Sequence, residues 1–261
     1  MASSVITVLR RGKATMRRTV VPPLLDTIYP PRCLACTEFT DSAHGLCSSC
    51  WRETHFIAGS ACACCGVPLV GVAVEGDVCD SCQRHPPAWD RGAAAMLYHG
   101  AGRRMVLALK HADRLDMVPA LARWMAAAGR DILAGTDLVV PVPLHWRRLL
   151  GRRYNQSAEL ARAIARQSGR RAVPDLLQRR RATTAQKQMD RAARAANQSG
   201  AIAVHPRRAA LIRGSAVTVI DDVLTTGATL SACTEALRAA GAARVDVLVL
   251  CRVAFGESRD V

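Results

Sequence analysis

From residue 93 to residue 251, short apolar runs alternate with longer stretches whose apolar residues recur at helical spacing. The runs 93–98, 209–212, 217–220 and 245–251 are aliphatic or β-branched on successive positions, as strands buried on both faces of a parallel sheet are. Residues 138–145 form a fifth apolar run, ending in a turn stiffened by Pro141 and Pro143. Between the runs, residues 102–111, 115–128, 157–167 and 230–240 read as helices. Alternation of this kind predicts an α/β fold with a parallel sheet, whose ligands sit beyond the carboxyl ends of the strands.

Residues 31–88 break the pattern. They hold too few large apolar side chains to fold on burial alone. Eight of the 11 cysteines lie here in Cys-x-x-Cys pairs: Cys33 with Cys36, Cys47 with Cys50, Cys62 with Cys65, and Cys79 with Cys82. A two-residue gap lets both thiolates face one ion, and two such pairs complete a tetrahedral Zn²⁺ shell. Two structural zinc ions would then supply the missing folding energy, and full cysteine shells leave no open position for a reacting water. Grouping Cys33, Cys36, Cys47 and Cys50 apart from Cys62, Cys65, Cys79 and Cys82 is the simplest assignment. A crossed arrangement stays open, as does the role of Cys64, which makes the third pair read Cys-Ala-Cys-Cys. A disulfide framework would need an oxidising compartment, and no convincing secretory signal is seen.

The stiff segment Pro86-Pro87-Ala88-Trp89-Asp90 marks a boundary. Three parts follow: a basic, partly helical lead-in over 1–30, a double zinc ribbon over 31–88, and an α/β domain over 89–261. No apolar run reaches the roughly 20 residues of a membrane helix, and the expected location is the cytoplasm.

Chemistry concentrates after the run 217–220, where Asp221 and Asp222 lead into Val-Leu-Thr225-Thr226-Gly227-Ala228-Thr229 and then a helix. Unpaired N–H groups at that helix start, helped by the threonine hydroxyls, suit a phosphate. Gly227 lets the backbone approach closely. The two carboxylates one step earlier can accept hydrogen bonds from a ribose diol. Neither a GxxxxGK[ST] loop nor a GxGxxG turn is present, so other nucleotide-binding loops lack support.

The nine residues from Asp221 to Thr229 resemble the phosphoribosyl pyrophosphate (PRPP) motif of type I phosphoribosyltransferases, in the form carried by ComF-type competence proteins. Other segments extend the resemblance. Leu24 to Cys33, with its Pro30-Pro31, is similar to the lead-in before that family's zinc module. Arg147-Arg148-Leu-Leu-Gly-Arg152-Arg153-Tyr154-Asn155-Gln156 is similar to RRxxRGFNQ, with Arg153-Tyr154 where Gly-Phe is usual. Arg179, Arg181, Thr183, Gln186, Arg194, Asn197, Gly200 and Ala201 match RxRxTxxQ…R…N…GA.

The resemblance implies a type I phosphoribosyltransferase-like sheet carrying a small cysteine-rich module. It implies PRPP bound with Mg²⁺ by Thr225, Thr226, Gly227, Ala228 and Thr229, with Asp221 and Asp222 against the ribose. Arg179 and Arg181 would sit on a loop that closes over the diphosphate. The loop after residue 140 would bind pyrophosphate through backbone groups. Asn155 and Gln156 also read as plain helix caps, and Lys110 with His111 reads either as a cation at a helix C-terminus or as a contact to phosphate or acceptor.

Charge bears on partners. The net charge is +15, and residues 141–215 hold 17 Lys and Arg against Glu159, Asp175 and Asp190. Such a field attracts polyanions. Arg147, Arg148, Arg152, Arg153 and Arg180 are the expected contacts to nucleic acid. Together with the resemblance this predicts a competence or DNA-uptake protein that binds PRPP and single-stranded DNA, with other competence proteins as further partners. A salvage or biosynthetic phosphoribosyltransferase is the alternative.

Overall fold

The computed structural model describes residues 30–40, 44–71, 74, 76–111, 114–144, 154–180 and 200–254. Arg147, Arg148, Arg152, Arg153, Arg181 and the lead-in over 1–29 lie outside them.

The cysteine-rich part is built twice on one plan. The Cys33–Cys36 turn is closed by the Thr37 N–H donating to Cys33 O at 3.0 Å, and the Cys62–Cys65 turn by the Gly66 N–H donating to Cys62 O at 2.8 Å. Thr37 and Gly66 occupy the same place after the second cysteine, and both are left-handed, with φ of 66° and 68°. Short antiparallel bridges flank each turn, Arg32 with Phe39 and Ala61 with Pro68. Each later cysteine pair then opens a short helix, α1 (Ser48–Glu53) after Cys47 and α2 (Asp80–Arg84) after Cys79.

The larger part runs β1 (Gly92–Leu97), α3 (Gly100–His111), a 3₁₀ turn at Leu115–Met117, α4 (Val118–Ala128), α5 (Arg130–Ala134), β2 (Leu138–Pro141), α6 (Gln156–Ser168) and β3 (Arg171–Ala172). It continues through β4 (Leu177–Arg179), β5 (Ile202–Val204), a 3₁₀ helix at Pro206–Leu211, β6 (Ala216–Leu224), α7 (Ala228–Ala239) and β7 (Arg244–Arg252). The five-stranded sheet has the order β1-β7-β6-β2-β3, with every pairing parallel. This is the parallel α/β architecture that the apolar runs predict. Among the described residues no helix is long and apolar enough to cross a membrane.

Alternation along β7 divides the core between the two faces of the sheet. Leu248 and Leu250 join Met96, Met105, Leu121 and Ile164 on one side, and Val247 and Val249 join Val219, Leu230 and Leu237 on the other. Each fully buried side chain of this size contributes about 1.5–3 kcal/mol. The ribbons straddle this division. Leu34, Leu46 and Phe56 pack on the first side, and Cys62, Cys65 and Val67 on the second. The segment between the ribbons also pairs with edge strand β1, the Ile57 N–H donating to Ala95 O and the Leu97 N–H to His55 O. The outer edge of β1 is therefore covered rather than open.

One expected strand is corrected. Residues 209–212 do not form a strand, because 209–211 close the 3₁₀ helix Pro206–Leu211. Pro206 has its φ preset for a helical start, the His205 side chain accepts from the Arg207 N–H at 3.1 Å, and Arg-Arg-Ala-Ala-Leu are good helix formers. An apolar run of four residues alone did not distinguish the two outcomes. Conversely, Leu177–Arg179, read as the start of a loop, pairs antiparallel with Ile202–Val204. The residues between that could close over a ligand, 181–199, lie outside the described set.

Candidate functional site

Strand β6 carries Asp221 and Asp222 near its carboxyl end, and α6 brings its N-terminus to them. Asn155 fixes that approach. Its Oδ1 accepts from the Ser157 N–H at 3.1 Å, while its Nδ2 donates to Val142 O at 3.0 Å, just beyond β2. The next two residues then reach the acids: Gln156 Nε2 donates to Asp222 Oδ2 at 3.0 Å, and Ser157 Oγ to Asp221 Oδ1 at 3.0 Å. From α3, Lys110 Nζ lies 3.3 Å from Asp222 Oδ2. Asn155 is thus the cap the sequence suggested, whereas Gln156 and Lys110 belong to the acid cluster. Gln156 Oε1 is buried and takes no hydrogen bond among the described residues.

Asp221 is pushed up to about 7, first by burial and next by the neighbouring Asp222 charge. The Asp222 N–H, Lys110 and Ser157 oppose the rise without cancelling it. A carboxyl group poised near neutrality at the end of a parallel strand is the type of group found at functional sites.

Beyond Leu224 the chain turns through Thr225 and Thr226 to Gly227, whose φ of 81° and ψ of 0° are left-handed, and α7 begins at Ala228. Gly227 accepts the Ser231 N–H, leaving the first N–H groups of α7 without helical partners. The buried Arg252 at the end of β7 holds the loop from beneath, its Nη1 donating to Leu224 O and Thr225 O at 3.1 Å each. Thr225, Thr226 and Gly227 therefore follow the two acids directly, and Ala228 and Thr229 open α7.

Arg179 ends β4 and donates from Nε to Pro143 O at 3.2 Å, in the loop after β2. Arg180 has an exposed side chain, and its N–H donates to Ala201 O at 2.9 Å. Sequence reasoning missed Gln156, Ser157 and Arg252 as parts of the site, and their polar identity beside apolar helix or strand positions was the available signal.

The cysteines gather as two groups, Cys33, Cys36, Cys47 and Cys50, and Cys62, Cys65, Cys79 and Cys82, with all sulfurs of a group within 4.8 Å of one another. The Cys47 N–H donates to Cys33 Sγ and the Cys79 N–H to Cys62 Sγ, both at 3.3 Å. Such N–H donation stabilises thiolates. Each group fits one structural zinc ion. The crossed arrangement is excluded by this grouping, and Cys64 stands outside both.

A parallel α/β sheet with an Asp-Asp strand end, a glycine turn and a helix N-terminus, joined to two four-cysteine centres, defines a phosphoribosyltransferase-like protein with a double zinc ribbon. The chain belongs to the ComF family. Residues 24–83 match the double zinc ribbon domain, and residues 154–260 the phosphoribosyl transferase domain. DNA utilization protein YhgH of Salmonella typhimurium is 31% identical over 229 residues, covering 85% of this chain and 97% of that protein. Competence protein F of Haemophilus influenzae is 28% identical over 229 residues, covering 85% and 96%. Among solved structures, the phosphoribosylpyrophosphate synthetase of Mycobacterium smegmatis aligns at 13% identity with a TM-score of 0.32, over 54% of this chain and 35% of that one.

Proposed function

We propose that this protein binds PRPP with Mg²⁺ at the carboxyl end of β6 and handles single-stranded DNA during DNA uptake or utilization. The observation that carries the reading is the left-handed Gly227, which delivers the Asp221-Asp222 strand end directly into the N-terminus of α7. In this reading the N–H groups of the turn and the hydroxyls of Thr225, Thr226 and Thr229 take the 5′-phosphate. Asp221 and Asp222 accept from the ribose hydroxyls, and Arg179 with Arg181 faces the diphosphate. Mg²⁺, when bound with PRPP, would neutralise the diphosphate charge. Gln156 Oε1 beside the acids, without a hydrogen bond among the described residues, supports a ligand rich in hydroxyl donors. The DNA part rests on the basic stretch 141–215 and on relatives named for DNA utilization and competence.

Phosphoribosyl transfer is the second reading, favoured by the near-neutral carboxyl of Asp221. The C1′–oxygen bond to diphosphate would break, a bond to the acceptor would form, and pyrophosphate would leave. The acid pair would offset the positive charge developing on the ribose.

Calorimetric titration with PRPP and Mg²⁺, with and without a single-stranded oligonucleotide, tests the proposal. Asp222→Asn is expected to weaken PRPP binding at least about tenfold, the effect of losing one charged hydrogen-bond acceptor, while zinc content stays at two per chain. Normal PRPP affinity in that variant would overturn the site. Oligonucleotide affinity that ignores salt would overturn the nucleic-acid part, and release of pyrophosphate on adding a base would favour the transferase.

A further inference from the structure

Trp89 joins the second cysteine centre to the PRPP-type loop. It is 6% exposed, and its indole Nε1 donates to Cys64 O at 2.7 Å, inside the Cys62–Cys65 turn. The far edge of the same ring rests on the loop glycine. A Cβ built on Gly227 would lie 2.6 Å from Trp89 Cη2 and 3.2 Å from Cζ3. One side chain therefore touches the backbone between two metal ligands at one end and the turn before α7 at the other. Leu224 and Leu230, on either side of that turn, share a core cluster with Cys62, Cys65 and Trp89.

Neither end of this connection has slack. A Cβ on Gly92 would fall 2.2 Å from Cys64 O, and one on Gly66 would fall 2.6 Å from Ala94 N, so the cysteine turn lies directly on β1. The residues after Trp89 are tied down as well. The Asp90 N–H donates to Val245 O while its carboxylate accepts from the Val245 N–H, and the same carboxylate pairs with Arg238 near the far end of α7 at 2.8 Å. Arg91 pairs with Asp246 at 2.9 Å. A shift of the Cys62–Cys65 turn thus reaches the indole instead of being absorbed by the linker. The first centre has a different neighbour. It packs on Ala101, and Arg104 donates to Cys50 Sγ at 3.4 Å, both on α3.

We infer that Trp89 is a positioning residue through which the metal-held shape of the Cys62, Cys65, Cys79 and Cys82 centre fixes the loop 224–229. This deepens the PRPP reading and rests on it for its ligand, although the coupling itself is a property of the chain alone. With the second centre intact, the Cys64 carbonyl holds the indole N–H and the ring edge holds Gly227. Without it, the turn loses the constraint that keeps Cys64 O in place, and the loop loses its floor.

Hydrogen–deuterium exchange of the full chain, read on the peptide spanning 224–230, tests this without needing any ligand. Trp89→Phe keeps an aromatic ring but deletes the indole donor and the outer ring edge. It should retain two zinc ions per chain and speed exchange in that peptide about tenfold, the size expected for one lost buried hydrogen bond, while the β2 peptide is unchanged. Cys79→Ser should give the same acceleration, and Cys47→Ser, at the first centre, should not. PRPP titration of Trp89→Phe should show affinity reduced by a similar factor. Unchanged loop exchange in Trp89→Phe overturns the coupling, as does equal acceleration in Cys47→Ser and Cys79→Ser. If Cys79→Ser unfolds globally, Trp89→Phe decides alone. A wild-type protein that does not bind PRPP overturns the ligand assignment and leaves the exchange result standing.

Discussion

Lys110 Nζ lies 3.3 Å from Asp222 Oδ2, joining the end of α3 to the end of β6. The Lys110 side chain is 20% exposed and the Asp222 side chain 7%, so the pair is largely shielded from solvent. Gln156 approaches the same carboxylate oxygen from α6. Two elements distant in sequence from β6, α3 and α6, thus supply the donors that the acid pair requires.

Removing the cation should be costly. Lys110→Met leaves Asp222 buried beside Asp221 with only Gln156 as a side-chain donor among the described residues, and breaking a buried pair from one side costs about 3–5 kcal/mol. Residual exposure of the lysine places the expected loss near the lower end, about 3 kcal/mol. Urea titration at pH 8 measures it, and Lys110→Arg should recover part of the stability. A Lys110→Met protein as stable as wild type would show that the pair contributes nothing.

Asp221 makes stability fall with rising pH. Its carboxyl is held up to about 7 by burial and by Asp222, so the folded chain keeps a proton that the unfolded chain releases near pH 4. Stability is therefore lost progressively as pH rises from about 4 through about 7 and is level above that. At about 1.4 kcal/mol per unit the full effect is on the order of 4 kcal/mol. Asp221→Asn cannot ionise and still accepts from Ser157, so it should melt several degrees above wild type at pH 8 and nearly with it at pH 4.5. Thermal unfolding at the two pH values checks this, and a difference independent of pH would refute it.

The parts of this site visible in the sequence are those in which local residues fix local geometry. Asp221 to Thr229 announces a strand, a glycine turn and a helix start within a dozen residues, and each Cys-x-x-Cys pair closes its own turn. The roles of Lys110, Gln156 and Arg252 were not fixed by their local sequence, because what decides them is the sheet order that carries α3, α6 and β7 to one end of β6. Trp89 looked like part of a stiff linker for the same reason. The misjudged segment 209–212 shows the opposite weakness. An apolar run of four residues fits either period, and Pro206 with its His205 cap decided the matter.

The thiols next to one another at Cys64 and Cys65 should behave differently. Cys65 belongs to a four-sulfur group and Cys64 does not, its role being to offer a carbonyl to Trp89. Cys64→Ser should keep two zinc ions per chain, measured by elemental analysis of the purified protein. Cys65→Ser should keep one and should be less stable, since structural zinc supplies folding energy directly. Loss of one ion in Cys64→Ser, with two retained in Cys65→Ser, would move the ligand from Cys65 to Cys64.

At Gly227 conformation and contact both forbid a side chain. Its φ of 81° costs an L-residue roughly 1–2 kcal/mol, and a Cβ there would press to 2.6 Å from Trp89 Cη2, against a ring fixed by Cys64 O. The indole cannot retreat without giving up that bond, so in Gly227→Ala the loop must move instead. The acids on β6 stay where Lys110, Gln156 and Ser157 hold them. Gly227→Ala should therefore weaken PRPP binding at least about tenfold, while zinc content and the pH dependence of unfolding remain as in wild type. Combining it with Trp89→Phe removes the outer ring edge and should return part of the loss, so the two changes together should cost less than their separate sum. Titration of the single and double variants with PRPP and Mg²⁺ measures the coupling, and strictly additive losses would mean that ring and glycine act independently.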